Sequence, residues 1–246
     1  MKSLVVCVEF DDFLAVTLPR NLRHFERTVV VTSVADFATH RLVRDCGCET
    51  VVTDVFYERH AHFNKGAAVE MAMDVLGRDG WICIWDADIV MPHSIEFDKN
   101  PAHLHTATRR TLADPTAFRD DLDWNTVPIT GLDAEYPGYF QLFHAEAAGP
   151  KPWYTKDWTH AGGCDSDFQG RFSPDCMSRP PFNVLHLGPT VDEATKDRVG
   201  KNWCGRVTPR IDGGPMPEGV ERSGEARDAI ILGRRATSDT KGERLR

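Results

Sequence analysis

The chain has 246 residues, 41% of them hydrophobic and 27% charged, which suits one globular unit with at most an appendage. A net charge of −8 argues against a general nucleic-acid coat, although a local basic patch stays compatible with a DNA or RNA substrate. No uncharged apolar run approaches bilayer length, and Met1-Lys2-Ser3 leads straight into Leu4–Val8 and the acidic Glu9, Asp11 and Asp12, unlike a signal peptide, so a cytoplasmic protein without a membrane partner is expected.

Leu4–Val8 reads as a first strand and Thr28–Thr32 as a second. Asp36 is placed to cap a short helix over Thr39–Cys46, which ends near Gly47, and Glu49–Thr53 makes a third strand. Asn64–Leu76 has the clearest helical pattern, with Ala68, Met71, Ala72, Val75 and Leu76 on one face and Gly77 as its stop. Trp81–Asp86 follows as an apolar strand. Strand, helix, strand, helix, strand predicts a parallel sheet covered by helices.

Beyond Pro92 the pattern loosens. His103–Arg110 and Gly138–His144 read as strands, with a loop-rich insertion over Ala113–Pro137. Lys151–Trp158 mixes aromatic and charged residues, and exposure of its aromatics is expected. A short helix is expected to open at Gly162–Phe168, and Asn183–Pro189 reads as a short strand holding His186. From about Val207 the sequence is rich in Gly, Pro and charge, so residues 207–246 are expected to form a peripheral arm or flexible tail behind a catalytic unit over 1–206. The seven cysteines include no Cys-x-x-Cys pair, which favours reduced thiols over a zinc site.

The Asp86-Ala87-Asp88 step carries most of the functional information. Two residues apart on a strand, both carboxylates point to one face, and they end an apolar run of Ile and Trp. Charge at the end of a central strand is costly unless neutralised, and a divalent cation carrying a substrate diphosphate would do so. At the carboxyl end of a parallel strand the pair would face the crevice where α/β folds bind ligands. Such an Asp-x-Asp (DxD) motif suggests an enzyme acting on nucleotide sugars.

Phe63-Asn64-Lys65-Gly66, the following helix and Trp81–Pro92 resemble the nucleotide-sugar half of GT-A fold glycosyltransferases, and especially the β-1,4-galactosyltransferase-like group. Gly138–Ala145 and Gly162-Gly163-Cys164-Asp165-Ser166-Asp167 look like that group's next two landmarks, so the likeness runs in order through about residues 4–206. It implies an α/β, Rossmann-like GT-A fold: a mostly parallel central sheet with helices on both faces, a donor half over 1–92 and an acceptor half over 93–206. It also implies a metal-dependent glycosyltransferase that moves a sugar from a UDP-sugar to an acceptor hydroxyl, with inversion. Rival readings are a nucleotidyltransferase of similar fold, a retaining glycosyltransferase and a nucleotide-sugar-binding protein without turnover.

Carried over residue by residue, the resemblance makes Asp88 and His186 ligands of Mn²⁺ (or Mg²⁺), with Asp86 as a further ligand or nearer the ribose. A carboxylate–imidazole set suits Mn²⁺ better than Mg²⁺. Asp165 or Asp167 is implied as the base that deprotonates the acceptor, against the alternative of first-turn helix residues favoured by the dipole. The ends of the first two strands should cradle the nucleotide through Glu9, Thr32 and Asp36, the last being equally well explained as a plain cap. Phe63 would pack on the base or staple the helix, and Lys65 and Lys201 (or Arg206) would approach the phosphates. Trp153, Tyr154, Trp158 and Arg109 are placed on the acceptor side. The acceptor itself stays open among protein, glycan, small molecule and modified nucleobase in DNA.

Overall fold

The β-branched and leucine-rich segments of the amino-terminal third assemble as parallel strands separated by helices: β1 (Lys2–Val6), α1 (Asp11–Asn21), β2 (Arg27–Thr32), α2 (Phe37–Asp45), β3 (Glu49–Val52), α3 (Lys65–Leu76) and β4 (Trp81–Asp86). The structure is a computed structural model and describes residues 1–61, 63–130, 137–158, 161, 163–188 and 210–215. The chain continues through β5 (Ile89–Val90), β6 (Leu104–His105), β7 (Thr108–Leu112), β8 (Ile129–Thr130), β9 (Phe140–His144), α4 (Cys164–Gln169), β10 (Met177–Ser178) and β11 (Asn183–Leu187).

Seven strands form the central sheet in the order β10-β6-β9-β4-β1-β2-β3. β1 pairs in parallel with β2 and β4, and among the described strands of this sheet only β9 runs antiparallel to its neighbours. Alternation along each strand splits the core between two faces. Leu4, Val29, Val31, Ile82 and Ile84 pack beneath α3, whereas Val5, Val30, Cys83 and Trp85 pack with Leu14 and Leu18 of α1 and Val43 of α2. Helices therefore cover both faces, as expected for the Rossmann-like arrangement. Fully burying α3 residues such as Val69, Met73 and Leu76 contributes roughly 1.5–3 kcal/mol each.

A second sheet, β5-β11-β7-β8, stands beside the first. The expected strand over His103–Arg110 is in fact two: β6 lies in the central sheet and β7 in the second, with the break at Thr106-Ala107. The chain makes the same transfer after β4, because β5 belongs to the second sheet. Asp86 thus ends the central sheet while Asp88 directly precedes the second.

Two further expectations are corrected. α3 buries Gly66, Val69, Glu70 and Met73 beside Ala68, Ala72 and Leu76, while Met71 and Val75 are exposed. The helix is turned this way because the buried Glu70 carboxylate is occupied: Oε1 accepts the backbone N–H groups of Trp153 (2.6 Å) and Tyr154 (2.8 Å), and Arg78 pairs with it. That anchor also draws Trp153 and Tyr154 into the core rather than to the surface. Helix α1 has no counterpart among the expected elements. Its Thr17 and Asn21 reach the segment after β4, Thr17 Oγ1 donating to Ala87 O (2.7 Å) and Asn21 bonding Ile89 O (2.8 Å) and Met91 N (2.9 Å). Of the carboxyl-terminal region, residues 210–215 lie against α1, where Arg210 pairs with Asp11 (2.8 Å) and Ile211 N–H donates to Asp12.

Candidate active site at the carboxyl edge of β4

Two charged clusters meet at the seam between the sheets. In the first, His186 Nε2 lies 3.3 Å from Asp88 Oδ2. Ladder register sets this pair, since His186 of β11 stands opposite Ile89 and Leu187 N–H donates to Asp88 O at 2.9 Å. His186 Nδ1 bonds the carbonyl of Gly188 (3.0 Å), which orients Nε2 toward the carboxylate. Asp88 Oδ1 is buried and has no hydrogen-bond partner. Burial pushes the Asp88 carboxyl above the ordinary carboxylate range; His186 opposes this and Asp86 adds to it.

In the second cluster Lys65 Nζ sits between Asp86 Oδ1 (2.9 Å) and Asp165 Oδ2 (3.1 Å), with only 8% of its side chain exposed. Burial alone would lower the lysine's pKa, but Asp165 and Asp86 hold it well above the usual value. The backbone beneath is equally constrained. Asn64 caps α3 by accepting from Ala67 N–H and donates to Lys156 O, while a methyl group on Gly66 would overlap the carbonyl of Thr155. A methyl group on Gly138 would overlap the Asp165 side chain. Tyr154 hydroxyl donates to Gln141 Oε1, and Gln141 Nε2 reaches Asp165 O at 3.4 Å.

Asp167 points elsewhere. Its Oδ2 accepts from Trp158 Nε1 (2.6 Å) and Thr155 Oγ1 (3.1 Å), and Gly163, with φ of 101°, leaves space for the Trp158 ring. Trp158 stays partly exposed, unlike Trp153 and Tyr154. Arg109 of β7 lies with its guanidinium 4.8 Å from the ring centre of Tyr139, whose hydroxyl donates to Ala107 O and whose pKa burial pushes up to about 12.

At the ends of β1 and β2 the expected nucleotide contacts converge on one another. Asp36 Oδ2 accepts from Glu9 N–H (2.7 Å), Thr32 Oγ1 (3.2 Å) and Thr39 Oγ1 (2.8 Å), and Oδ1 caps α2 through Thr39 N–H. Asp36 is therefore a cap with both oxygens occupied, and Thr32 is fully buried beneath it. Glu9 adopts a positive φ of 64° at this turn. Phe63 is buried and stacked on Phe56, with ring centres 4.9 Å apart and an interplanar angle of 16°, so it staples α3 into the core. Lys201 and Arg206 lie outside the described residues.

The sequence reading missed Glu70 and Gln141, the buried polar groups that hold the site's frame. Glu70 had a usable signal, because it shares the buried α3 face with Gly66 and Met73 and so needs a partner. Among the described residues no group of three His, Cys, Asp or Glu side chains converges on a metal position. The donor chemistry of the Asp88–His186 pair still fits a divalent cation: one carboxylate, one imidazole and a buried oxygen available for a ligand. Asp86 faces Lys65 instead of completing that set. No helix among the described residues is long and apolar enough to cross a membrane.

No family model matches the sequence, and no curated protein matches it. Solved structures do. A mycobacterial protein is 14% identical with a TM-score of 0.52, the match covering 78% of this chain and 68% of that one. The inositol-1-phosphate CTP transferase from T. maritima is 12% identical with a TM-score of 0.50, over 89% of this chain and 97% of that one. Glucosyl-3-phosphoglycerate synthase from Mycobacterium tuberculosis, in complex with uridine diphosphate, is 12% identical with a TM-score of 0.50, over 78% and 72%. These likenesses show the fold, a mixed α/β GT-A-type, Rossmann-like domain. At such identities they do not choose a chemistry.

Proposed function

We propose that the chain is a metal-dependent glycosyltransferase that moves a sugar from a nucleotide diphosphate sugar, a UDP-sugar in the first instance, to an acceptor hydroxyl. The observation that carries this reading is the Asp88–His186 pair at the edge of β4, where a carboxylate with a buried, unpartnered oxygen meets an oriented imidazole. Asp88 and His186 would hold Mn²⁺ (or Mg²⁺), with diphosphate oxygens among the remaining ligands. Bound there, such a cation would supply positive charge to offset that of the nucleoside diphosphate.

The protein's own residues supply the rest. Asp165, fixed beside the seam, removes the proton from the acceptor hydroxyl as it attacks the anomeric carbon, which gives inversion. Asp167 is committed to Trp158 and Thr155 and so is the weaker candidate for base. Glu9 at the β1 turn is assigned to the nucleoside. Trp158 and Arg109 give the acceptor side one aromatic surface and one cation, compatible with an acceptor that is a protein, a glycan, a small molecule or a modified nucleobase in DNA. The finer likeness to the β-1,4-galactosyltransferase-like group rests on the short motifs alone.

A nucleotidyltransferase reading is favoured by one observation, the nearly complete coverage of the CTP transferase by this fold. Against it, the turn after β1 runs through Glu9 into the acidic first turn of α1, Asp11 and Asp12, and has no basic residue of its own, while Arg210 beside it is paired with Asp11. The two readings separate by product. The test is a panel of UDP-sugars and of nucleoside triphosphates with sugar phosphates, each with and without Mn²⁺. Metal-dependent release of UDP that is lost in Asp88→Ala supports glycosyl transfer, whereas release of pyrophosphate would replace it with nucleotidyl transfer. Binding without release of either would leave a non-catalytic nucleotide-sugar-binding protein. NMR of the product anomer distinguishes inversion from retention.

A further inference from the structure

We propose that Lys65 is a positioning residue that ties Asp86 to Asp165, and that its charge is not available as a contact to the donor diphosphate. The inference rests on the glycosyltransferase reading for its catalytic meaning, and on geometry for its existence. Two of the three ammonium protons are directed at carboxylates, 2.9 Å from Asp86 and 3.1 Å from Asp165, and the side chain is almost wholly enclosed. A cation flanked by two anions attracts a third anion only weakly, so the diphosphate would find little net charge at this point. The resemblance to known transferases implies the opposite use of this position, a cation laid against the phosphates.

The bridge adds a polar tie at the edge of three segments that already share one apolar core. Asp86 ends β4, Lys65 opens α3 and Asp165 lies in the first turn of α4. Each backbone is fixed independently: Asn64 and Gly66 lock the start of α3 to residues 155–156, and Gly138 and Gln141 lie against Asp165. With Oδ2 held by the ammonium, the Asp165 carboxylate keeps one orientation beside the seam. Asp86 then serves the base through Lys65 rather than the metal, which leaves Asp88 and His186 as the protein's metal ligands. The first aspartate of the DxD motif orients and the second binds.

The experiment compares wild type with Lys65→Met, Lys65→Arg and Asp86→Asn, using UDP with Mn²⁺ for binding and UDP release from UDP-glucose for turnover. Lys65→Met is expected to bind UDP within about threefold of wild type while kcat falls at least about tenfold with little change in KM, and Lys65→Arg to recover much of kcat. Asp86→Asn should follow Lys65→Met. Loss of UDP affinity by more than about tenfold with kcat retained would instead make Lys65 a diphosphate contact and overturn the proposal. Absence of UDP binding and of UDP release in wild type would defeat the nucleotide-sugar reading, and a thermal double-mutant cycle then decides the bridge by itself. Asp165→Asn should lower the melting temperature in wild type but not in the Lys65→Met background, and additive shifts would refute the tie.

Discussion

Asp88 and His186 meet across an antiparallel step, Nε2 to Oδ2 at 3.3 Å, although 98 positions of sequence separate them. The partnership depends on β5 and β11 keeping one register, His186 opposite Ile89. Because neither residue supplies the site alone, Asp88→Asn and His186→Ala should each weaken Mn²⁺ binding by at least about tenfold, with circular dichroism unchanged. Titration calorimetry with Mn²⁺ and UDP reads this directly. Metal affinity untouched by both substitutions would remove the pair from the site.

Gly138 leaves the space that Asp165 occupies. Gly138→Ala places a methyl group where the carboxylate side chain now lies, so the aspartate must rotate away from Lys65. If Asp165 is the proposed base, turnover is expected to fall by about 10²-fold or more while the nucleotide binding proposed for Asp88 and His186 persists. Steady-state kinetics with calorimetry in parallel would show the split.

Glu70 is the principal polar anchor inside the core. Glu70→Ala strands two buried N–H groups and takes one of the two carboxylate partners of Arg78, which keeps Asp74, a loss of about 3–5 kcal/mol. For a domain of this size that corresponds to a drop in melting temperature of roughly 6–20 °C. Glu70→Gln retains an acceptor and should lose less. Equal stability of the two variants by calorimetry would contradict the anchoring role.

His105 predicts a pH dependence of stability away from the site. It is fully buried on β6 among Trp81, Phe97 and His103. Burial lowers its pKa, His103 adds to the shift and Asp98 opposes it. As pH falls below the usual histidine value of about 6.5, the unfolded chain takes up this proton before the folded one does. Stability is therefore full above that value and declines as pH drops through the depressed folded pKa. Half-buried His24, lowered mainly by burial, acts in the same direction. Denaturant melts of His105→Leu should show a shallower decline across this window than wild type.

Much of the donor half was legible because its signals are local. β1 to β4, α2 and α3 lie within a few residues of their expected bounds, and the cap Asp36 could be read from position. Helix α1 escaped because polar Thr17 and Asn21 occupy its buried face and Pro19 interrupts its pattern, so hydrophobic periodicity is diluted. The division of His103–Arg110 was hidden for another reason. A strand that changes sheets keeps its extended backbone and its composition, and only long-range pairing reveals the transfer. Trp153 and Tyr154 were misjudged because the carboxylate that buries them lies more than eighty positions earlier.

Thr17 and Asn21 fasten the short strip of chain that separates Asp86 from the strand following Asp88. Since each aspartate takes its position from a different sheet, that helix acts as a caliper, setting how far apart the Lys65-bound and the His186-paired carboxylates stand. Alteration of the caliper would change the span of the proposed reaction centre while leaving every residue proposed for it in place. Variants that fold normally yet work poorly should accordingly gather on a helix turned away from the chemistry.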